Sequence, residues 1–383
     1  MKNLVIPKDI NSSNQEAIFK DILASPESML RLSSKGIKFG TAFGIEAHVV
    51  QLLATWYRSP KSSKTIRTYV NDENDSSLED ICQNLLGMAY LTMCDKILLS
   101  DGEHVLARRK AFESGSKSID KLKVFDFKSA FKGRKLFFPC LKPSDSGGFI
   151  EPLYLNGKIA TRKEFDFILQ ESLESILGHK QKKVFDHGFF KKIGSCIYEL
   201  FKNTHDHSLQ DENGNYFIKS VRAISFNVSH PTPSELKTLL GAQEEDYLFE
   251  IFGDELDRKQ TFLEITVVDT GIGYARNWLR SKVRDLDSVR FEDEASAVLN
   301  CFKKHSTSRN IRSAGSGLSN VLDCLEFLHA GFLLRTGNTS MSCFTKQGKI
   351  DIERASIKQD SNRLVGTSFT CVIPLIIRED NQC

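Results

Sequence analysis

Val267-Val268-Asp269-Thr270-Gly271-Ile272-Gly273 decides how the C-terminal half of this chain is read. The apolar run before it, Phe262 to Val268, reads as a strand, and the strand ends in a carboxylate. A carboxylate there can accept a hydrogen bond from an exocyclic amine. Two glycines spaced by one residue let the backbone pass close to a flat ligand. The same letters also make an ordinary Asp/Gly turn after a strand, so the segment needs company.

Upstream lies Tyr198-Glu199-Leu200-Phe201-Lys202-Asn203-Thr204-His205-Asp206, on a helix with Ile193, Ile197, Leu200 and Phe201 as apolar positions. Glu199, Asn203 and Asp206 fall at i, i+4 and i+7 and share one helical face. That suits one wall of a polar pocket, although a solvated face has the same spacing. His205 and His207, at i and i+2, point to different faces and would not share an ion. Downstream, Ser313-Ala314-Gly315-Ser316-Gly317-Leu318-Ser319-Asn320 opens a helix. Its free N–H groups and dipole favour phosphate. Lys303-Lys304-His305-Ser306-Thr307-Ser308-Arg309 adds local positive charge, and no Walker-type G-x-x-x-x-G-K-[ST] is present. Val365-Gly366-Thr367-Ser368-Phe369-Thr370 enters the last strand; a Gly-Thr pair alone is a common strand start.

In order, these segments resemble the N box, the D-x-G-x-G box, the second glycine box and the terminal Gly-Thr of the gyrase, heat-shock-chaperone, histidine-kinase and MutL (GHKL) superfamily. The likeness covers roughly residues 185–375. Glu, Asn and Asp at this spacing resemble the chaperone and MutL branches, and a Glu four residues before the Asn also occurs in anti-sigma serine kinases. The resemblance implies an α/β fold, the α+β two-layer sandwich of the GHKL type, binding ATP with Mg²⁺. By matching position, Glu199 would be the base orienting water, and Asn203 would coordinate Mg²⁺, with Asp206 beside them at the ATP. Asp269 would bind the adenine amine with Thr367 assisting through water, and Gly271 and Gly273 would shape that pocket. Gly315, Gly317 and Leu318 would cradle phosphates. Residues 275–314 would form a mobile lid whose Lys303 or Lys304 contacts the terminal phosphate. A long acidic insert, Glu244-Glu245-Asp246 through Asp254-Glu255, departs from the family. Three readings stay open: an ATPase coupled to conformational change, a protein serine or histidine kinase, and a non-hydrolysing ATP-gated interaction protein. Glu199 favours the first, because a pure binder has no need of a base. His179 and His187 lack the H-E-x-x-x-P context of a phosphoacceptor.

The rest of the chain sets bounds. Its 383 residues exceed one typical domain. A β-α-β-α order over 36–125, its second helix read in the strongly apolar run Leu78 to Leu98, predicts a smaller N-terminal α/β domain at 1–125, faintly similar to STAS domains and suited to a regulatory or partner-binding role. Residues 126–160, rich in Lys, Phe, Gly and Pro, read as a junction, and 161–383 as the ATP-binding domain. The junction's aromatic and basic interleaving is compatible with single-stranded nucleic acid, although phenylalanines packed on a strand pair explain it more simply. A net charge of +3 gives no further footprint for nucleic acid. The expected partners are ATP and a protein partner or a second copy. Nine cysteines without a C-x-x-C pair read as reduced, buried thiols. The polar N-terminus and the lack of a ~20-residue apolar run predict a cytoplasmic protein away from the membrane.

Overall fold

The computed structural model describes residues 3–33, 38–39, 43–73, 76–131, 135–144, 150–155, 157–178, 187–240, 245–303 and 317–376. The chain is a mixed α/β protein whose described residues form a four-stranded parallel sheet, a five-stranded antiparallel sheet and two small two-stranded ladders. Four parallel strands lie side by side in chain order: β1 (Asn3–Ile6), β2 (Met29–Leu32), β3 (Thr65–Arg67) and β4 (Lys96–Leu98). Parallel neighbours need a long crossover. Here α1 (Gln15–Ala24), α2 (Ile45–Arg58), and the pair α3 (Ser77–Cys82) and α4 (Leu85–Thr92) supply it, and α5 (Arg108–Lys123) follows β4.

The apolar stretch from Leu78 to Leu98, expected as one helical run, is two helices and a strand. Asn84 breaks it: its backbone is extended, and its side chain caps α4 by accepting from the Gly87 N–H at 2.7 Å. Beyond Thr92 the chain turns, and Lys96–Leu98 pairs with Thr65–Arg67.

The second sheet contains β5 (Lys135–Lys142), β6 (Ser220–Ser229), β7 (Phe262–Asp269), β8 (Gly331–Phe344) and β9 (Ser356–Pro374). Its spatial order is β8-β9-β7-β6-β5, antiparallel throughout. The segment read as a junction thus supplies an edge strand, with Phe138 opposite Ile224. Central β7 is covered on both faces, which is why its sequence hardly alternates.

The two faces carry different company. Ile265, Val267 and Asp269 share theirs with Cys371 and Phe369 of β9. That face meets α6 (Arg162–Ile176) and α7 (His187–His207), where Cys196 Sγ lies 3.9 Å from Cys371 Sγ. A Thr161/Glu164 capping box starts α6. Glu264, Thr266 and Thr370 face the other way, towards α2, and the Gly44 N–H at the start of α2 donates to Glu264 at 2.7 Å. The N-terminal unit therefore roofs the sheet opposite α7.

The acidic insert is built as an amphipathic cap. Helix α8 (Pro233–Leu240) precedes it and joins the cap, and the insert itself forms α9 (Glu245–Phe252) and a 3₁₀ turn, Gly253–Asp257. Leu236, Tyr247, Leu248 and Phe252 form a satellite core with Phe43, Phe262 and Phe344, leaving Asp246 and Glu255 exposed. After β7 come α10 (Tyr274–Leu279), α11 (Phe291–Phe302) and α12 (Gly317–Phe327). No helix among the described residues is long and apolar enough to cross a membrane.

Candidate functional site

The buried stripe of α7 (Ile193, Cys196, Ile197, Leu200, Phe201) docks on the sheet and leaves Glu199, Asn203 and Asp206 half-buried along its border. Asp206 is held by Lys202, one turn earlier, at 3.4 Å. His205 instead bonds the Tyr154 hydroxyl through Nδ1 at 2.7 Å. Among the described residues no cluster of three or more His, Cys, Asp or Glu is placed to hold a metal ion.

The first residue of α12, Gly317, comes up against this wall. A Cβ added to it would lie 3.2 Å from Glu199 Oε2 and 3.8 Å from both amide atoms of Asn203. Two segments of the sequence therefore meet, bringing a carboxylate and an amide of α7 to the N-terminal end of an eleven-residue helix. Leu318 faces inward and is buried. Lys303, at the end of α11, is engaged by Glu353 at 3.3 Å. Lys304 and Gly315 lie outside the described residues, as does the part of the expected lid at 304–314; its earlier part forms α10 and α11.

At the end of β7, Asp269 is only 4% exposed. Its Oδ1 accepts the Gly271 N–H at 2.7 Å. Burial pushes its carboxyl from 3.8 up to about 6, against the Gly271 N–H, the nearby charges of Arg222 and Arg58, and the Thr367 N–H. The group is thus ionised and an acceptor above about pH 6, and a donor below it. Thr367 sits opposite Asp269 across β9 and opposite Thr336 across β8.

Glycine is required here by space as much as by backbone angle. A Cβ on Gly271 would stand 2.5 Å from Ser208 Cα, and one on Gly273 (φ +85°) 2.5 Å from Thr336 Oγ1. Gly366 (φ +79°) lies so close that a Cβ would overlap the Asp269 carbonyl oxygen. The D-x-G-x-G turn and the Gly-Thr segment are thus in direct backbone contact.

Four further residues belong to the site. Tyr274 is half-buried; its hydroxyl has Asn203 as a hydrogen-bond partner and is pushed well above its ordinary range by desolvation and then by the charge of Asp269. Thr336 Oγ1 accepts the Tyr274 N–H at 2.9 Å and stands 3.3 Å from the Gly366 carbonyl oxygen. Arg222 donates to the Tyr154 hydroxyl at 2.5 Å and to Glu151 at 2.9 Å. Arg58 arrives from α2. Tyr274 is flagged in the sequence only by following Gly273; the other three carry no local signal.

Compared with known proteins, the chain matches no family model and no curated sequence. Its class is therefore stated at the level the architecture defines: a mixed α/β protein in which a four-stranded parallel sheet unit packs on a five-stranded antiparallel sheet.

Proposed function

We propose that this pocket binds ATP with Mg²⁺ in the manner of a GHKL-type nucleotide-binding unit, and that the protein hydrolyses it. The observation that carries the reading is the convergence of Glu199 and Asn203 on the N-terminal end of α12, on the same side of the sheet as buried Asp269. Asp269 and its glycines suit the base, because an ionised, desolvated carboxylate accepts strongly from an exocyclic amine. The N-terminal end of α12, with the positive end of its dipole, suits phosphate.

The donor set fits Mg²⁺. Asn203 offers an amide oxygen and Glu199 a carboxylate in one cradle, and a small hard cation that keeps waters and phosphate oxygens as ligands asks for no more. Asn203 would hold the ion, which when bound neutralises charge on the phosphates. Glu199, beside Asn203, can accept a hydrogen bond from a water aimed at the terminal phosphorus and take its proton. Tyr274, bonded to Asn203 and close to Asp269, ties the base and phosphate subsites together.

Cytoplasmic residence is supported by the free cysteines, seven of them buried, among the described residues. Nucleotide state would be passed on to a protein partner or a second copy. The experiment is turnover of labelled ATP with Mg²⁺ by the full chain and by Glu199→Ala and Asp269→Asn. Free phosphate from the wild type, none from Glu199→Ala, and no ATP binding by Asp269→Asn is the expected result. Label retained on protein would make it a kinase, and tight binding without turnover an ATP-gated binder.

A further inference from the structure

Gln51, Thr55 and Arg58 stand at i, i+4 and i+7 on α2 and so share one helical face. That face meets the two backbone segments around the proposed base subsite. Gln51 Nε2 donates to the Val365 carbonyl at 3.1 Å. The Val365 N–H donates to Thr55 Oγ1 at 2.9 Å, and the Thr55 hydroxyl donates back to the Gln51 carbonyl at 2.7 Å. Arg58 Nη1 donates to the Gly271 carbonyl at 3.4 Å, with its guanidinium 3.5 Å above the Phe217 ring.

Val365 needs such partners. The β8–β9 register jumps from Thr336↔Thr367 to Gly337↔Leu364, so Val365 and Gly366 form a bulge with no opposite residue. The pairing of β9 with β7 stops at Asp269↔Thr367. Both peptide groups of Val365 are therefore outside the ladder, and buried backbone groups left unpaired are strongly unfavourable. The N-terminal unit satisfies them. The two residues that follow, Gly366 and Thr367, are those lying against Asp269.

We propose that this face of α2 is a positioning element of the base subsite, through which the N-terminal unit sets nucleotide affinity. The inference rests on the ATP reading above. Gln51 and Thr55 fix the bulge that carries Gly366 and Thr367, and Arg58 fixes the Gly271 carbonyl from the other side. Arg58 is half-buried and its buried Nη2 has no hydrogen-bond partner, so the contact is held by position rather than by a saturated network. By linkage, whatever displaces α2 weakens base binding, and bound nucleotide resists that displacement to the same degree.

The test compares Mg·ADP with inorganic tripolyphosphate, which lacks a base, as titrants of the full chain in calorimetry. Arg58→Gln and Thr55→Val should each weaken ADP binding about tenfold, the order expected for losing one buried, charge-assisted or backbone hydrogen bond. Tripolyphosphate binding should stay within about twofold of wild type. Arg58→Lys, which keeps a charge and a donor, should fall between and guards against misfolding of the Gln variant. ADP affinity unchanged in all variants, or tripolyphosphate affinity falling in step with it, would overturn the proposal while leaving the ATP reading intact. A wild-type chain that binds neither titrant would overturn both.

Discussion

Asp269→Asn separates a functional carboxylate from a structural one. The carboxyl is buried and raised from 3.8 to about 6. At 1.36 kcal/mol per pKa unit, that rise means the folded protein at pH 7.5 carries about 3 kcal/mol of penalty for holding the group ionised. The sign follows from the raised value: stability from this group is fully present below pH 3.8, where it is protonated folded or unfolded, and is lost as pH climbs through about 6. Asn removes the charge but retains one acceptor for two donors, the N–H groups of Gly271 and Thr367. An orphaned donor returns about 1–2 kcal/mol of the gain.

The expected outcome is an empty variant more stable than wild type by about 1–2 kcal/mol at pH 7.5, the difference between those two contributions. The advantage should shrink at pH 5, where the wild-type carboxyl is largely neutral. Urea denaturation at the two pH values, with and without Mg·ATP, reads this directly. ATP should stabilise the wild type at pH 7.5 and leave the variant unmoved. A variant less stable at pH 7.5, a gap indifferent to pH, or equal stabilisation of both proteins by ATP would refute the reasoning.

Three other outcomes follow from the same geometry. Glu199→Gln keeps the size and the neighbours of the side chain but cannot take a proton, so turnover should fall at least about a hundredfold with ATP affinity retained, as checked by phosphate release beside calorimetry. Gly366→Ala meets a left-handed backbone and an overlap with the Asp269 carbonyl oxygen at once; a loss of roughly 2–4 kcal/mol in urea denaturation is expected, and an unchanged midpoint would contradict the close approach. Arg222→Met removes a cation that holds the Asp269 carboxyl down; ATP affinity followed against pH should then begin to fail at a higher pH than in the wild type, and a coincident profile would show that the charge does not reach the site.

How much of this was legible in the sequence depends on the range of each contact. Glu199 and Asn203 share a face because a helix places i and i+4 together, and Asp269 with its glycines is fixed by one strand end; both readings need only local geometry. Residues 126–160 read as a junction because they are rich in Lys, Phe, Gly and Pro, with phenylalanines packed on a strand pair as the simpler account of part of them. Pro139 does not stop 135–142 from being that strand, because a proline is tolerated at an edge: among the described residues β5 pairs with β6 on one side and carries a single bridge, Leu141 to Ile150, on the other. Within the run 78–98, Leu85 to Cys94 is buried on every side, so periodicity does not mark where helix gives way to strand; pairing with Thr65–Arg67 places the strand at Lys96–Leu98. The part of the site supplied by α2 had no signal at all. Arg58 meets Gly271 across 213 residues of sequence and Gln51 meets Val365 across 314. The nucleotide chemistry proposed for the pocket would restrict residue type and so leave motifs, whereas completing the hydrogen bonds of a bulge asks only for a donor and an acceptor at the right place. Gln and Thr meet that demand as ordinary polar residues on a helix. A unit that acts on the pocket through backbone contacts is therefore silent in its own sequence, and only the fold exposes it.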